Sequence, residues 1–242
     1  MQLMTLNIWG GRVYQPLINF IEQHREVDIF CLQEVYHKAP QQISTEDKSY
    51  HLDIYSEIQN ILIDHQGFFR PVVSNIYGIA IFIKNKIDIL GEGEIIIHHN
   101  PTYPGTGPAH SRNLQWLECF FNDKFYSIIN VHGLWNGRGK TDTPERLVQS
   151  KQIRNFLETI SIPKILCGDF NLRPDTESLQ LLEQDMKNLI KNNNITSTRT
   201  SLYPKDEKYA DYILVSSEIR VNRFEVLTDE VSDHAPLLLE FI

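Results

Sequence analysis

Carboxylates, amides and imidazoles stand where hydrophobic runs of this chain stop. Asn7 closes MQLMTLN, Glu34 follows CLQ, and His132 ends IINVH. Asp169 and Asn171 follow KILCG as DFN, Asp211 opens DYILVS, and Asp233 and His234 precede APLLLEF. A charged or amide group just past a buried strand is unfavourable without a partner, so repeated endings of this kind predict that the strand tips converge on one polar cleft. Carboxylate and amide oxygens are hard donors suited to Mg²⁺ or Mn²⁺. No His/Cys pair stands at the tight spacing of a zinc site. Mg²⁺ takes one or two carboxylates and shares its shell with water and substrate oxygens, which points to phosphoryl chemistry.

The elements that must position these groups are legible as apolar runs. Strands are expected at 2–6, 29–33, 78–84, 114–121, 125–132, 164–168, 212–216, 220–227 and 236–241. Many are continuous β-branched or aromatic stretches, as in strands covered on both faces. Val13, Leu17, Phe20, Ile21 and His24 follow helical spacing. A second helix begins at Thr143-Pro144, proline suiting the first turn, with Ile153, Phe156, Leu157 and Ile160 on one face. A third is expected after Asp175 or Thr176 as N-cap, carrying Leu179, Leu182, Met186, Leu189 and Ile190 inward. The segment 98–113, with Pro101, Pro104, Gly105, Gly107 and Pro108, reads as a long surface loop overhanging the cleft.

The blocks TLNIWGG, CLQEV, YGIAIF, NVHG, GDFNLRPD, YADYILVS and SDHAPLLLEF, in this order, resemble the endonuclease/exonuclease/phosphatase, deoxyribonuclease I-like superfamily. Singly, each block reads as a turn or a capped strand end; their order across residues 3 to 241 outweighs that reading. The resemblance implies an α/β two-sheet sandwich flanked by helices, in four layers, as one domain over residues 1–242. It also implies roles. Glu34 matches the main metal-binding carboxylate, Asn7 the amide that positions metal or phosphate, and Asp233 a second metal-site or water-organising acid. Asp169 matches the group that aligns or deprotonates the attacking water, and Asn171 the amide that holds the scissile phosphate. His234 matches the histidine that contacts phosphate or takes the water's proton, oriented by Asp211, because a carboxylate fixes the tautomer. His132 would assist the leaving oxygen; exonuclease III-like abasic-site enzymes carry tyrosine there. Arg112 would bind substrate phosphate.

Bulk properties bound the substrate. The chain has 242 residues and a formal net charge of −8, which argues against tight non-specific coating of DNA. A nuclease acting on DNA or RNA is the first expectation. The alternative is a phospholipid or small phosphate ester as substrate, and a third reading is an inactive phosphate-binding module. Convergence of Arg12, Arg70, Arg112, Arg138 and Lys140 on the cleft would favour nucleic acid; an apolar rim would favour lipid. Trp9 and Trp135 would stack on substrate or pack at the rim. His98-His99 reads as a solvated pair, and Gly10-Gly11 lacks the spacing of a phosphate loop. Cys31, Cys119 and Cys167 sit in apolar runs and read as buried thiols. No targeting segment, membrane span or accessory domain is visible. A cytoplasmic location without an obligate protein partner is the default.

Overall fold

The computed structural model describes residues 1–39, 49–102 and 109–242. Its first part contains β1 (Gln2–Asn7), α1 (Tyr14–Gln23), β2 (Ile29–Tyr36), α2 (Ile54–Ile61), β3 (His65–Val73), β4 (Tyr77–Lys84) and β5 (Asp88–His98). Then follow β6 (Arg112–Phe121), β7 (Lys124–His132), α3 (Pro144–Thr159), β8 (Lys164–Asp169), α4 (Glu177–Glu183) and β9 (Met186–Asn188). The chain closes with α5 (Leu189–Asn192), β10 (Asp211–Ser216), β11 (Val221–Val226) and β12 (Leu237–Phe241).

The strands form two six-stranded mixed sheets, ordered β11-β12-β1-β2-β4-β3 and β5-β6-β7-β8-β10-β9. Leu3, Ile29, Cys31 and Ile81 of the first sheet meet Ile128, Val131, Ile165 and Cys167 of the second in one buried cluster. On the other face of the first sheet, Met4, Phe30 and Leu32 pack with Leu17 and Phe20 of α1 and Ile54 and Ile58 of α2. Burial on both faces explains why these strands read as continuous apolar runs. The three cysteines are buried and unpaired. Among the described residues no helix is long and apolar enough to cross a membrane.

Two parallel pairs set the position of the cleft. β1 runs parallel to β2 with Asn7 beside Gln33, and β7 runs parallel to β8 with His132 beside Asp169. Parallel neighbours end on the same side, so their tips fall together. One to two residues below the tips, the sheets are joined by amides. Gln33 Nε2 donates to Asn130 Oδ1 at 2.7 Å and to Thr5 Oγ1 at 3.1 Å, while Asn130 Nδ2 donates to the Leu32 and Ala80 carbonyls at 3.1 and 3.2 Å.

Each predicted strand is present, but the third helix is not continuous. Thr176 caps α4, accepting from Leu179 N, and the helix ends at Glu183. Asp185 then turns at φ 60°, and Met186–Asn188 pairs with β10 instead. Met186, Leu189 and Ile190 thus reach the core through a short strand and a single turn. The structure adds α2, β3, β5 and β9. β3 and β5 are edge strands interrupted by Gly, Pro and charged residues, with one flank unpaired, so they need no continuous apolar run. The expected long loop is shortened, because β5 extends to His98 and β6 starts at Arg112. Pro104, Gly105, Gly107 and Pro108 lie outside the described residues.

Candidate active site

Glu34 reaches the cleft through a distortion of β2. The register against β4 passes from Gln33 opposite Ile79 to Val35 opposite Gly78, leaving Glu34 as the extra residue of a bulge with φ 58°. A non-glycine residue there is strained by about 1–3 kcal/mol and persists only where its surroundings demand it. Gly78, opposite Val35 at the bulge, is required by its other neighbour, since a Cβ on it would lie 2.0 Å from the Arg70 carbonyl oxygen of β3. Asn171 and Trp9, at φ 53° and 52°, occupy the same strained region beside the cleft.

Asn7 sits between two acids, its Nδ2 donating to Glu34 Oε1 and Asp169 Oδ2, both at 3.0 Å. Asp169 Oδ1 accepts from the Asn171 amide nitrogen at 2.9 Å, and Asn171 Nδ2 donates to the Gly133 carbonyl at 3.2 Å. His132 Nε2 lies 3.8 Å from Glu34 Oε1 and 3.9 Å from Asp169 Oδ2. Arg112 Nη1 approaches both ring nitrogens of His132, at 3.0 and 2.9 Å. His234 Nε2 lies 3.7 Å from Asp169 Oδ2 and 3.9 Å from Asp233 Oδ1. Its Nδ1 is 2.8 and 2.9 Å from the Asp211 oxygens, and Asp211 also accepts from Thr198 Oγ1 at 3.1 Å. Ser232 ties the loop before β12 to the end of β1, its Oγ donating to the Asn7 carbonyl at 2.7 Å. All eight strand-end residues and Arg112 therefore meet in one place.

Burial dominates the electrostatics. Desolvation pushes the Glu34 carboxyl up to about 7, with Asp233 and Asp169 adding to the shift and Asn7 opposing it. Burial raises Asp211 to about 6 and lowers His234 to about 3. Their short contact alone favours an ion pair, but withdrawal of both groups from water outweighs it. At neutral pH His234 is thus a neutral imidazole donating Nδ1–H to Asp211, with the Nε2 lone pair facing the cleft. Burial, then the Arg112 cation, holds His132 well below its ordinary value.

Three facing acids and an amide, with one acid held partly protonated, form a donor set of excess negative charge and hard oxygens. That set fits a divalent cation held by Glu34, Asn7 and Asp233 or Asp169. Asp169, Asp211 and His234 also offer ligand atoms within 4.8 Å of one another, but Asp211 and His234 Nδ1 are already committed to each other.

Of these groups, all but Asn7 and Asp211 line a cavity of about 370 Å³. Its walls include residues to which the sequence reading assigned no role at the site: Tyr77, His110, Arg199 and Tyr203. His110, from the expected overhanging loop, is held down to about 3 by burial and Arg112. Trp9 and Trp135 stand on the walls. Of the five basic residues named for the cleft, only Arg112 and Lys140 line it. Arg70 pairs with Glu92, and Arg138 is exposed. Arg12 lies over the Trp9 and Tyr50 rings at 5.0 and 4.3 Å from their centres. The five do not all converge: Arg70 and Arg138 stand away from the cavity, Arg12 touches it through two of its rings, and Arg199 and Lys205 join its lining.

The sequence profile of the Endonuclease/Exonuclease/phosphatase family matches residues 4–234. No curated protein sequence matches the chain. Among solved structures, an endonuclease/exonuclease/phosphatase from Bacteroides vulgatus superposes with a TM-score of 0.75 at 18% identity, covering 100% of this chain and 98% of that one. The mannosyl-6-phosphatase Bt3783 of Bacteroides thetaiotaomicron gives 0.74 at 18% identity, covering 100% and 99%. ANGEL2, a 2′,3′-cyclic phosphatase in complex with adenosine-2′,3′-vanadate, gives 0.74 at 14% identity, covering 99% and 94%. At such identities these likenesses establish the two-sheet sandwich fold, while the profile match establishes kinship. The chain belongs to the endonuclease/exonuclease/phosphatase family of metal-dependent phosphoesterases and is an enzyme acting on phosphate esters.

Proposed function

We propose that this enzyme hydrolyses a nucleotide-scale phosphate ester with Mg²⁺, taking either a free nucleotide or the single-stranded end of a nucleic acid. The observation that carries the reading is the meeting of Glu34, Asn7, Asp169 and the His234–Asp211 pair at one cavity. Bound by Glu34, Asn7 and Asp233, Mg²⁺ would supply Lewis-acid polarisation of the phosphate and screening of its developing charge. His234 Nε2 accepts the proton of the attacking water, and Asp211 stabilises the imidazolium that results. Asp169 orients that water. Asn171 and Arg112 hold non-bridging phosphate oxygens. His132, neutral, donates a ring N–H to the leaving oxygen.

The substrate reading follows from the walls. The net charge of −8 and the confinement of cations such as Arg112, Lys140, Arg199 and Lys205 to the cavity itself disfavour gripping a duplex along its length. Trp9, Tyr50, Trp135 and Tyr203 present aromatic faces at a cavity of about 370 Å³, and Lys205 lies 4.9 Å from the Trp135 ring centre. Rings with cations beside them suit stacking on a flat base better than an acyl chain. The test is a panel of nucleotides, single-stranded RNA and DNA, plasmid DNA, sphingomyelin and inositol phosphates with Mg²⁺, Mn²⁺ or EDTA. Turnover of nucleotides or single strands, abolished by EDTA, is expected. Faster turnover of plasmid or sphingomyelin would overturn the substrate reading, and full activity in EDTA would overturn the metal.

A further inference from the structure

Lys140 is 1% exposed, lines the cavity, and its ammonium makes no hydrogen bond to any described residue. Its placement is built. Arg146, itself fully buried, donates to the Gly139 carbonyl at 2.7 Å, to Thr141 at 2.5 Å and to Leu134 at 3.1 Å. The Lys140 carbonyl accepts from the Arg173 amide nitrogen at 2.9 Å. A buried arginine thus grips the loop on both sides of a buried lysine. Fixing an ammonium away from water without an acceptor is unfavourable unless an anion arrives to take its protons.

The acids nearby do not fill that role. Asp233 accepts from Arg199 Nη1 at 3.2 Å, Asp211 is held by His234 and Thr198, and Asp169 by Asn7 and Asn171. A second cation stands on the same wall. Arg199 lies 3.9 Å and Lys140 Nζ 5.5 Å from the Tyr203 ring centre, and the buried Arg199 Nε has no acceptor among the described residues. This pair is separate from Arg112, which acts on His132 and Glu34. The two cationic poles flank Asp169, whose charge both feel.

We infer that Lys140 and Arg199 form a second oxyanion subsite, and that the substrate carries a further anionic oxygen group, a phosphate or a carboxylate, beside the scissile phosphate. The substrate half of this inference rests on the proposed phosphoesterase reading of the cleft; the binding half does not. The full-length protein, stripped of metal on a chelating resin, is titrated calorimetrically with inorganic phosphate, sulfate and acetate. Wild type is expected to bind at least one of them, tetrahedral anions alone indicating a second phosphate and acetate a carboxylate. Lys140→Met, with melting temperature and circular dichroism checked, weakens binding tenfold or more, while Glu34→Gln does not weaken it. Should the methionine variant not fold, Lys140→Gln replaces it. No anion binding by wild type, or a loss under threefold in a folded Lys140 variant, overturns the subsite. In Mg²⁺, wild type prefers a bisphosphate over the matching monophosphate, and the Lys140 variant loses tenfold or more of that preference; no preference in wild type overturns the second anionic group. Anion binding without any turnover would sink the proposed function and leave the subsite standing.

Discussion

Two polar layers lie one to two residues apart in this molecule, and they behave oppositely. In the lower, Gln33 and Asn130 are neutral, buried, and joined across the sheets by short hydrogen bonds in unremarkable strand backbone. In the upper, Glu34 occupies a left-handed bulge with its acid pushed up to about 7, and His234 and Lys140 are lowered to about 3 and about 8. Neutral amides that bond across the interface hold two sheets in register, and a neutral layer tolerates the one oxygen, Gln33 Oε1, that accepts no hydrogen bond among the described residues. Ionisable groups packed together beyond their mutual capacity leave chemistry unfinished, and such sites are where perturbed ionisation marks function. Position along the strand barely separates the layers. The charge of the groups in each layer does.

Glu34→Gln is the most direct attempt to break this contrast. It keeps the shape of the upper layer and removes the charge that would hold Mg²⁺, so kcat/KM on bis-p-nitrophenyl phosphate should fall by about 10³-fold or more. Retention of a tenth of the activity would move the metal away from this acid. Next comes Asp211→Asn, which leaves His234 without its anionic partner. A fall in kcat of about 10²–10³-fold is expected, with KM nearly unchanged in steady-state assays. A loss under tenfold would deny His234 the base role.

The lower layer should respond in stability instead. Asn130→Ala strips the acceptor from Gln33 and the donors from two carbonyls, and should destabilise the fold by about 1–3 kcal/mol in urea titration, with kcat held within about threefold. A large kcat defect with unchanged stability would erase the distinction between the layers. The smallest expected effect is on pH dependence. The folded-state value of Glu34 stands above its ordinary one, so the folded protein binds the extra proton and its stability is lost as pH rises through about 7. Glu34 alone therefore lowers the stability of metal-free protein between pH 6.5 and pH 7.5, and over that interval wild type should lose melting temperature relative to Glu34→Gln. His110, His132 and His234, whose folded values are lowered by burial, act with the opposite sign up to and just above their ordinary value, in both wild type and Glu34→Gln, so they cancel from that difference. Mg²⁺ should raise the melting temperature more at the higher pH, where it displaces no proton; a larger rise at pH 6.5 would contradict the shift.

Much of this was written in the chain itself. Central strands such as β2 and β8 announce themselves because burial on both faces demands unbroken apolar runs, and the polar residues that end those runs are local facts of sequence. Their order along the chain carried the family. Tertiary structure decided the rest. The helix expected to run to Ile190 gave way at Asp185 because β10 offered Met186–Asn188 backbone partners. The edge strands β3 and β5, paired on one side, left little mark in hydropathy. Glu34 faces the cleft through a bulge in the pairing of β2 with β4, and no spacing within CLQEV reveals it. Arg70 and Arg138 left the cleft while Arg199 entered it, and Lys140 became a buried cation under the grip of Arg146. Such outcomes depend on contacts between distant segments, and periodicity records only what neighbours along the chain require.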